Sequence, residues 1–182
     1  MPSPATPEPG DVRAPGPIAV RLATRDDAEA IRRIYNTEVV GALVTFDLVA
    51  RTESEQLEWM DAHVGAYPVV VATDGDEVVG FASLSPYRPR PAYSTSVEDS
   101  VYVDARYRGR GVGTLLLSEV VRLADSHGFH AVMARIVGGH RASIALHEAC
   151  GFELVGVEKE IGRKFGRWLD VALMQRLTPP AR

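Results

Sequence analysis

The chain has 182 residues, 46% of them hydrophobic and 24% charged, with a formal net charge of −4. That length fits one domain with a buried core, and the acidic balance excludes bulk attraction to nucleic acid or to an anionic membrane. No apolar run approaches the ~20 residues of a membrane-spanning helix; Cys150 stands alone, which excludes an intrachain disulfide and favours the cytoplasm.

Residues 1–17 are rich in proline, glycine and alanine and are expected to form a disordered tail. Their composition lacks the basic start and apolar segment of a secretory signal. "IAVRLA" (Ile18 to Ala23) alternates as a first strand. Thr24 and Asp27 then supply a capping signal, and Ala28, Ile31, Ile34, Tyr35 and Val39 recur at helical spacing. Thr52 and Glu55 form a second capping box, opening a helix towards His63. "VVVATDGDEVVGFASL" is a hairpin turning at Asp74-Gly75-Asp76.

Prolines then impose a loop from Pro86 to Tyr93. "SVEDSVYV" (Ser96 to Val103) is a strand, followed by a glycine loop and a helix from about Val112 to His127. "HAVMARIV" (His130 to Val137) is the next strand, and a short helix from Ala142 to Cys150 stops at Gly151. Strands from Phe152 to Ile161 and Trp168 to Leu177 complete a domain over residues 18–177, with a tail at 178–182. The order β-α-α-β-β-β-α-β-α-β-β predicts a mixed α/β fold: a largely antiparallel sheet with helices on both faces.

The glycine loop Arg108-Gly109-Arg110-Gly111-Val112-Gly113 stands between a strand and a helix N-terminus. Unpaired N–H groups and the positive end of the helix dipole meet there. Glycine lets a phosphate oxygen approach those groups without a Cβ in the way. The spacing matches neither the dinucleotide fingerprint nor the P-loop. On its residues alone the loop is either an anion cradle or a solvated turn.

With the strand before it, Arg108-x-x-Gly111-x-Gly113 resembles the coenzyme A loop of the GNAT superfamily of acyl-CoA-dependent N-acetyltransferases. "RPAYSTSVEDSVYV", "SIALHEACGF", "KFGRWLDVALMQ" and "VTFD" resemble, more narrowly, the phosphinothricin and methionine sulfoximine N-acetyltransferases. The resemblance spans Ile18 to Leu177 and implies the GNAT fold, acetyl-CoA as co-substrate and a homodimer; His63, His127 and His130 show no metal-ligand spacing, so no metal is expected. It departs at His140, where the family has Asn, and at Arg163, where it has an aromatic residue.

Carried onto this chain, the resemblance assigns Glu98 as general base and His147 as the residue that donates a proton or orients groups near the coenzyme sulfur. It assigns coenzyme contacts to Val101, Tyr102, Val103, Arg108, Gly109, Arg110, Gly111, Val112, Gly113, Thr114, His140 and Ser143. Phe46, Arg88, Arg90 and Tyr93 line the substrate site, the arginines offering forks for a carboxylate or phosphinate. Without the resemblance, Glu98 reads as a strand carboxylate, His147 as a histidine at the core edge and Phe46 as a core residue. The implied reaction acetylates the α-amine of a small amino acid or analogue. The alternatives are another amine (an aminoglycoside, a polyamine or a protein N-terminus) or an acyl-CoA sensor without turnover.

Overall fold

The computed structural model describes residues 16–178. The tail expected at residues 1–17 therefore lies outside the described residues except for Gly16 and Pro17, and the Gly16 N–H donates to Asp74 at 2.9 Å. The C-terminal tail likewise lies outside, apart from Thr178.

Strand β1 (Ile18–Leu22) is followed by a short 3-10 turn, Arg25–Asp27, that runs into helix α1 (Ala28–Gly41). Asp27 heads the turn by accepting from the Thr24 N–H at 2.7 Å. Helix α2 (Glu53–Ala62) starts at the expected box: the Thr52 N–H donates to Glu55 at 2.7 Å and the Glu55 N–H returns a bond to Thr52 at 3.3 Å. Strands β2 (Val69–Asp74) and β3 (Glu77–Pro86) form the hairpin, with Gly75 at φ 60° in its turn. A 3-10 turn at Pro91–Tyr93 leads to β4 (Ser96–Val103), then α3 (Val112–Ser126), β5 (Ala131–Val137) and α4 (Arg141–Ala149). The chain closes with β6 (Glu153–Lys164) and β7 (Arg167–Leu177).

The seven strands form one sheet in the order β1-β2-β3-β4-β5-β7-β6. Every neighbouring pair is antiparallel except β4 and β5, which the α3 crossover makes parallel. Helices α1 and α2 cover one face, where Ile31, Tyr35, Val39 and Trp59 pack on Val71 and Phe81. Helices α3 and α4 cover the other, where Leu116, Leu117, Val120 and Leu146 pack on Ala82, Val97, Val132 and Met174. The predicted class and element order hold.

Strand β6 runs beyond the predicted end at Ile161, through an irregularity between Glu158 and Gly162, to Lys164. The hairpin then turns on Phe165 (φ 48°) and Gly166 (φ 75°), the left-handed pair of a type I′ turn. Phenylalanine is an unusual residue for a left-handed position, so its sequence gave no turn signal there.

One pairing in the sheet is incomplete. β4 and β5 meet only where Ser96, Val97 and Glu98 face Ala131, Val132 and Met133. Beyond Glu98, β4 stays paired with β3 as far as Val103, and β5 stays paired with β7 as far as Val137. A wedge therefore opens between two adjacent strands, and α3 and α4 both begin beyond its open end.

Candidate active site

Backbone alternation decides what β4 offers to this wedge. The carbonyl of Ser96 accepts from Tyr87 and the N–H of Asp104 donates to Val79, so even-numbered residues of β4 turn their polar groups to β3. Odd-numbered residues turn theirs to the opposite edge, which leaves Val101 and Val103 facing the wedge without a strand partner. Tyr102 is corrected on this point: its backbone is spent in the β3 ladder opposite Phe81. Its ring lies on the α1 face, stacked on Phe81 at 5.2 Å.

At the open end, Gly109 (φ 74°) and Gly111 (φ 80°) adopt left-handed conformations, with no atom within 4 Å of where a Cβ would stand. Gly111 caps α3, and Thr114 lies exposed in its first turn. Open space over left-handed glycines at the head of a 15-residue helix suits a pyrophosphate. Gly113 differs, because a Cβ there would come within 3.1 Å of the Leu146 side chain on α4, which would have to give way. Val112 is buried in the core.

The arginines divide as well. Arg106 is held by Asp104 and Glu77. Arg108, expected on the coenzyme, donates from Nε to the Val103 carbonyl at 3.1 Å and pairs through its guanidinium with buried Glu38. It therefore ties β4 to α1 and occupies one of the wedge carbonyls. Arg110 lies exposed over the Tyr107 ring and has no carboxylate partner among the described residues, which leaves it free for an anion.

Glu98 lies half-buried on the α1–α2 face of β4, and its carboxylate has no hydrogen-bond partner among the described residues. Burial is the largest influence on its proton affinity and raises the pKa above the ordinary glutamate value; Arg135 and Arg88 oppose that rise, and Asp99 and Glu158 add to it. Arg88 sits exposed over the Tyr87 ring, which meets Tyr93 edge-on at 5.6 Å. Arg90 is exposed beside them and has no ion-pair partner among the described residues. Phe46 is part-exposed, and its ring fills the space that a side chain at Gly162 would need.

His147 is 4% exposed. Nδ1 meets the Ser143 carbonyl at 2.7 Å and Nε2 meets Asp99 at 3.1 Å. A carbonyl only accepts, so Nδ1 carries hydrogen, and Nε2 faces the Asp99 carboxylate. Burial is the largest influence and pushes the His147 pKa down. The hydrogen bond and charge of Asp99, with the Ser143 carbonyl, outweigh it and leave the pKa raised. Both ring nitrogens thus have partners inside the protein, an arrangement that suits the orienting role, since to protonate a thiolate His147 would have to break its buried contact with Asp99. His140 is also committed at one nitrogen, accepting from the Ser143 N–H at 3.3 Å as the cap of α4.

These features, a splayed parallel pair beside a glycine-headed helix and a free carboxylate, accompany a family match over residues 28–152 to the acetyltransferase (GNAT) family. The chain belongs to the GNAT acetyltransferase family. It is 39% identical over 163 residues to the phosphinothricin N-acetyltransferase of Streptomyces coelicolor, covering 87% of this chain and 95% of the relative. It is 37% identical over 166 residues to the L-methionine sulfoximine/L-methionine sulfone acetyltransferase of Pseudomonas paraeruginosa, covering 90% and 96%. A crystal structure of a GNAT superfamily phosphinothricin acetyltransferase from Sinorhizobium meliloti in complex with AcCoA superimposes with a TM-score of 0.85, at 41% identity over 88% of each chain.

Other polar residues lie around the candidate site. Lys164 is buried and donates from Nζ to the Thr45 carbonyl at 2.8 Å, holding the loop that carries Phe46 against β6; burial pushes its pKa down. Arg163 points the other way, over the Trp168 ring at 5.4 Å. Asp99, as the partner of His147, was invisible because the two are 48 residues apart. Among the described residues no cluster of metal-binding side chains occurs.

Proposed function

We propose that this enzyme acetylates the α-amine of a small amino-acid analogue with a tetrahedral polar group, of the phosphinothricin, methionine sulfoximine or methionine sulfone class, using acetyl-CoA. The observation that carries the reading is the placement of Glu98: a free, half-buried carboxylate on the strand whose next residues line the wedge. The names of the relatives support the substrate class.

The wedge and the α3 N-terminus suit acetyl-CoA, with Val101 and Val103 along its arm, Gly109 and Gly111 under its pyrophosphate and Arg110 beside it. When bound, acetyl-CoA supplies a thioester acyl group. An amino-acid amine is mostly ammonium at neutral pH and must lose a proton before its nitrogen can attack. Glu98 accepts that proton, and its raised pKa brings its basicity nearer the working range. The nitrogen–carbon bond then forms, the carbon–sulfur bond breaks, and coenzyme A leaves as the thiol after taking up a proton. From an ammonium substrate one proton passes to solvent. The Val101 N–H is the donor for the developing oxyanion, and a backbone donor survives apolar substitution of its side chain. Arg90 and Tyr93, with Arg88, supply donors for the tetrahedral group.

We further infer a homodimer, because β6 and β7 expose Leu154, Val155, Val157, Ile161, Phe165 and Trp168 together. The use of a single cysteine supports a cytoplasmic location. The decisive experiment measures thiol release from acetyl-CoA with phosphinothricin, L-methionine sulfone, methionine and an aminoglycoside at equal concentration. The first two should be preferred, and Arg90→Ala should erase that preference. A preference for the aminoglycoside, or an unchanged profile in Arg90→Ala, would overturn the assignment.

A further inference from the structure

We propose that Ser85 is a second acceptor for the substrate amine beside Glu98, and that His63 positions it by taking up the serine's hydrogen. The proposal rests on the reading of Glu98 as the base and adds two residues that neither the motifs nor the family resemblance singled out.

Ser85 on β3 and Glu98 on β4 are direct partners across the antiparallel ladder. Side chains of such a pair project on the same face with their Cβ atoms about 5 Å apart. The face is that of α1 and α2. Phe81, four positions before Ser85 on β3, packs there against Trp59 at 6.1 Å, and His63, the C-cap of α2, reaches Ser85 at 3.0 Å. Ser85 and His63 are both partly exposed, so the pair borders the site rather than being sealed in the core.

Hydrogen-bond logic sets the direction of each contact. His63 Nδ1 lies 2.7 Å from the Trp59 carbonyl, which can only accept, so Nδ1 carries the hydrogen. Burial lowers the His63 pKa, with the Trp59 carbonyl opposing and the Arg51 charge adding to it, which favours the neutral ring. Nε2 therefore presents a lone pair, and the Ser85 hydroxyl donates to it. The imidazole also packs on the Trp59 ring, with centroids 4.0 Å apart.

With its only hydrogen committed, Ser85 Oγ has nothing but lone pairs left for the cleft. A freely rotating serine would instead donate to the Glu98 carboxylate and weaken the base. Here the carboxylate stays without a protein donor, and two oxygen acceptors stand side by side. Such a pair matches an ammonium, which has three hydrogens to donate. One hydrogen goes to Glu98 and is transferred, and another goes to Ser85 and holds the nitrogen in line.

The test is steady-state kinetics with L-methionine sulfone and acetyl-CoA on the full chain. A hydrogen bond to a charged group is worth roughly tenfold or more in affinity. Ser85→Ala should therefore raise the amine KM about tenfold, with the acetyl-CoA KM and the melting temperature unchanged. Ser85→Thr, which keeps the hydroxyl, should retain most of the activity. His63→Phe keeps the stack but frees the serine hydrogen, and it should raise the amine KM as well. An unchanged amine KM in Ser85→Ala would overturn the proposal. So would a loss shared by Ser85→Thr, or one spread equally onto the acetyl-CoA KM, since either marks a merely structural tie between α2 and β3. Glu98→Gln is measured in parallel. If it collapses turnover while Ser85→Ala has no effect, only this inference fails; if Glu98→Gln is silent, the reading of the base fails.

Discussion

At Glu98, burial raises the proton affinity of a carboxylate while Arg135 and Arg88 pull it back. The net direction is upward, so the acid limb of kcat/KM should lie above the range of an ordinary glutamate. Below that limb Glu98 is protonated and no base is present. Glu98→Gln should lower turnover by ~10²-fold at neutral pH, the usual scale of a general base. The loss should shrink as pH rises and free amine becomes abundant. Stability should move the opposite way. A carboxylate with a raised folded-state pKa favours the fold below its unfolded pKa and loses that contribution as pH rises through the folded value. Glu98→Gln should thus melt no lower than the parent at neutral pH. Wild-type rates at every pH would leave Glu98 a surface residue of β4. Glu98 drew notice in the sequence only through the resemblance carried by its local neighbours in "SVEDSVYV"; taken alone it reads as a strand carboxylate. The Ser85–His63 contact was not legible, because its two partners lie 22 residues apart and meet only through the packing of α2 on β3.

At the scale of elements, α1, α2 and the β2–β3 hairpin announced themselves through short-range chemistry. Capping boxes at Thr24 and Thr52 and a glycine turn at Gly75 each satisfy backbone groups within a few residues. The position of α4 is different, because long-range contacts determine it: Leu146 against Gly113, and His147 against Asp99. The latter pair is almost fully buried, with side chains 5% and 2% exposed. Removing one partner of such a pair typically costs about 3–5 kcal/mol. Asp99→Asn should therefore destabilise the protein strongly. The His147 pKa is raised in the folded state, so the pair's contribution is fully present below the unfolded histidine value, ~6.5. It fades as pH rises through the folded value. Denaturant unfolding of parent and variant near pH 6 and again at alkaline pH should show the gap closing as pH rises. A gap that widens instead would mean that His147 is neutral in the fold.

For the molecule as a whole, alternating apolar runs foretold a mostly antiparallel sheet, yet nothing in them marked where β4 and β5 part. The splay arises because the two strands diverge after Glu98 while each keeps its outer neighbour, a property of the assembled sheet rather than of either strand. The same sheet ends on β6, a 12-residue edge strand. Long apolar edges invite pairing with another chain unless something covers them. Here Leu154, Val157 and Ile161 on β6 are 58%, 46% and 55% exposed, and Trp168 on β7 is 59% exposed. A second copy covering this surface would remove it from water. Sedimentation should accordingly give twice the chain mass for the parent protein. Val157→Lys combined with Ile161→Lys places two charges in the proposed contact, at side chains the single chain leaves exposed. That variant should sediment as a monomer, keep its melting transition and still bind coenzyme A. A parent protein that sediments as a monomer, or a doubly charged variant that remains dimeric, would move the interface elsewhere or remove it.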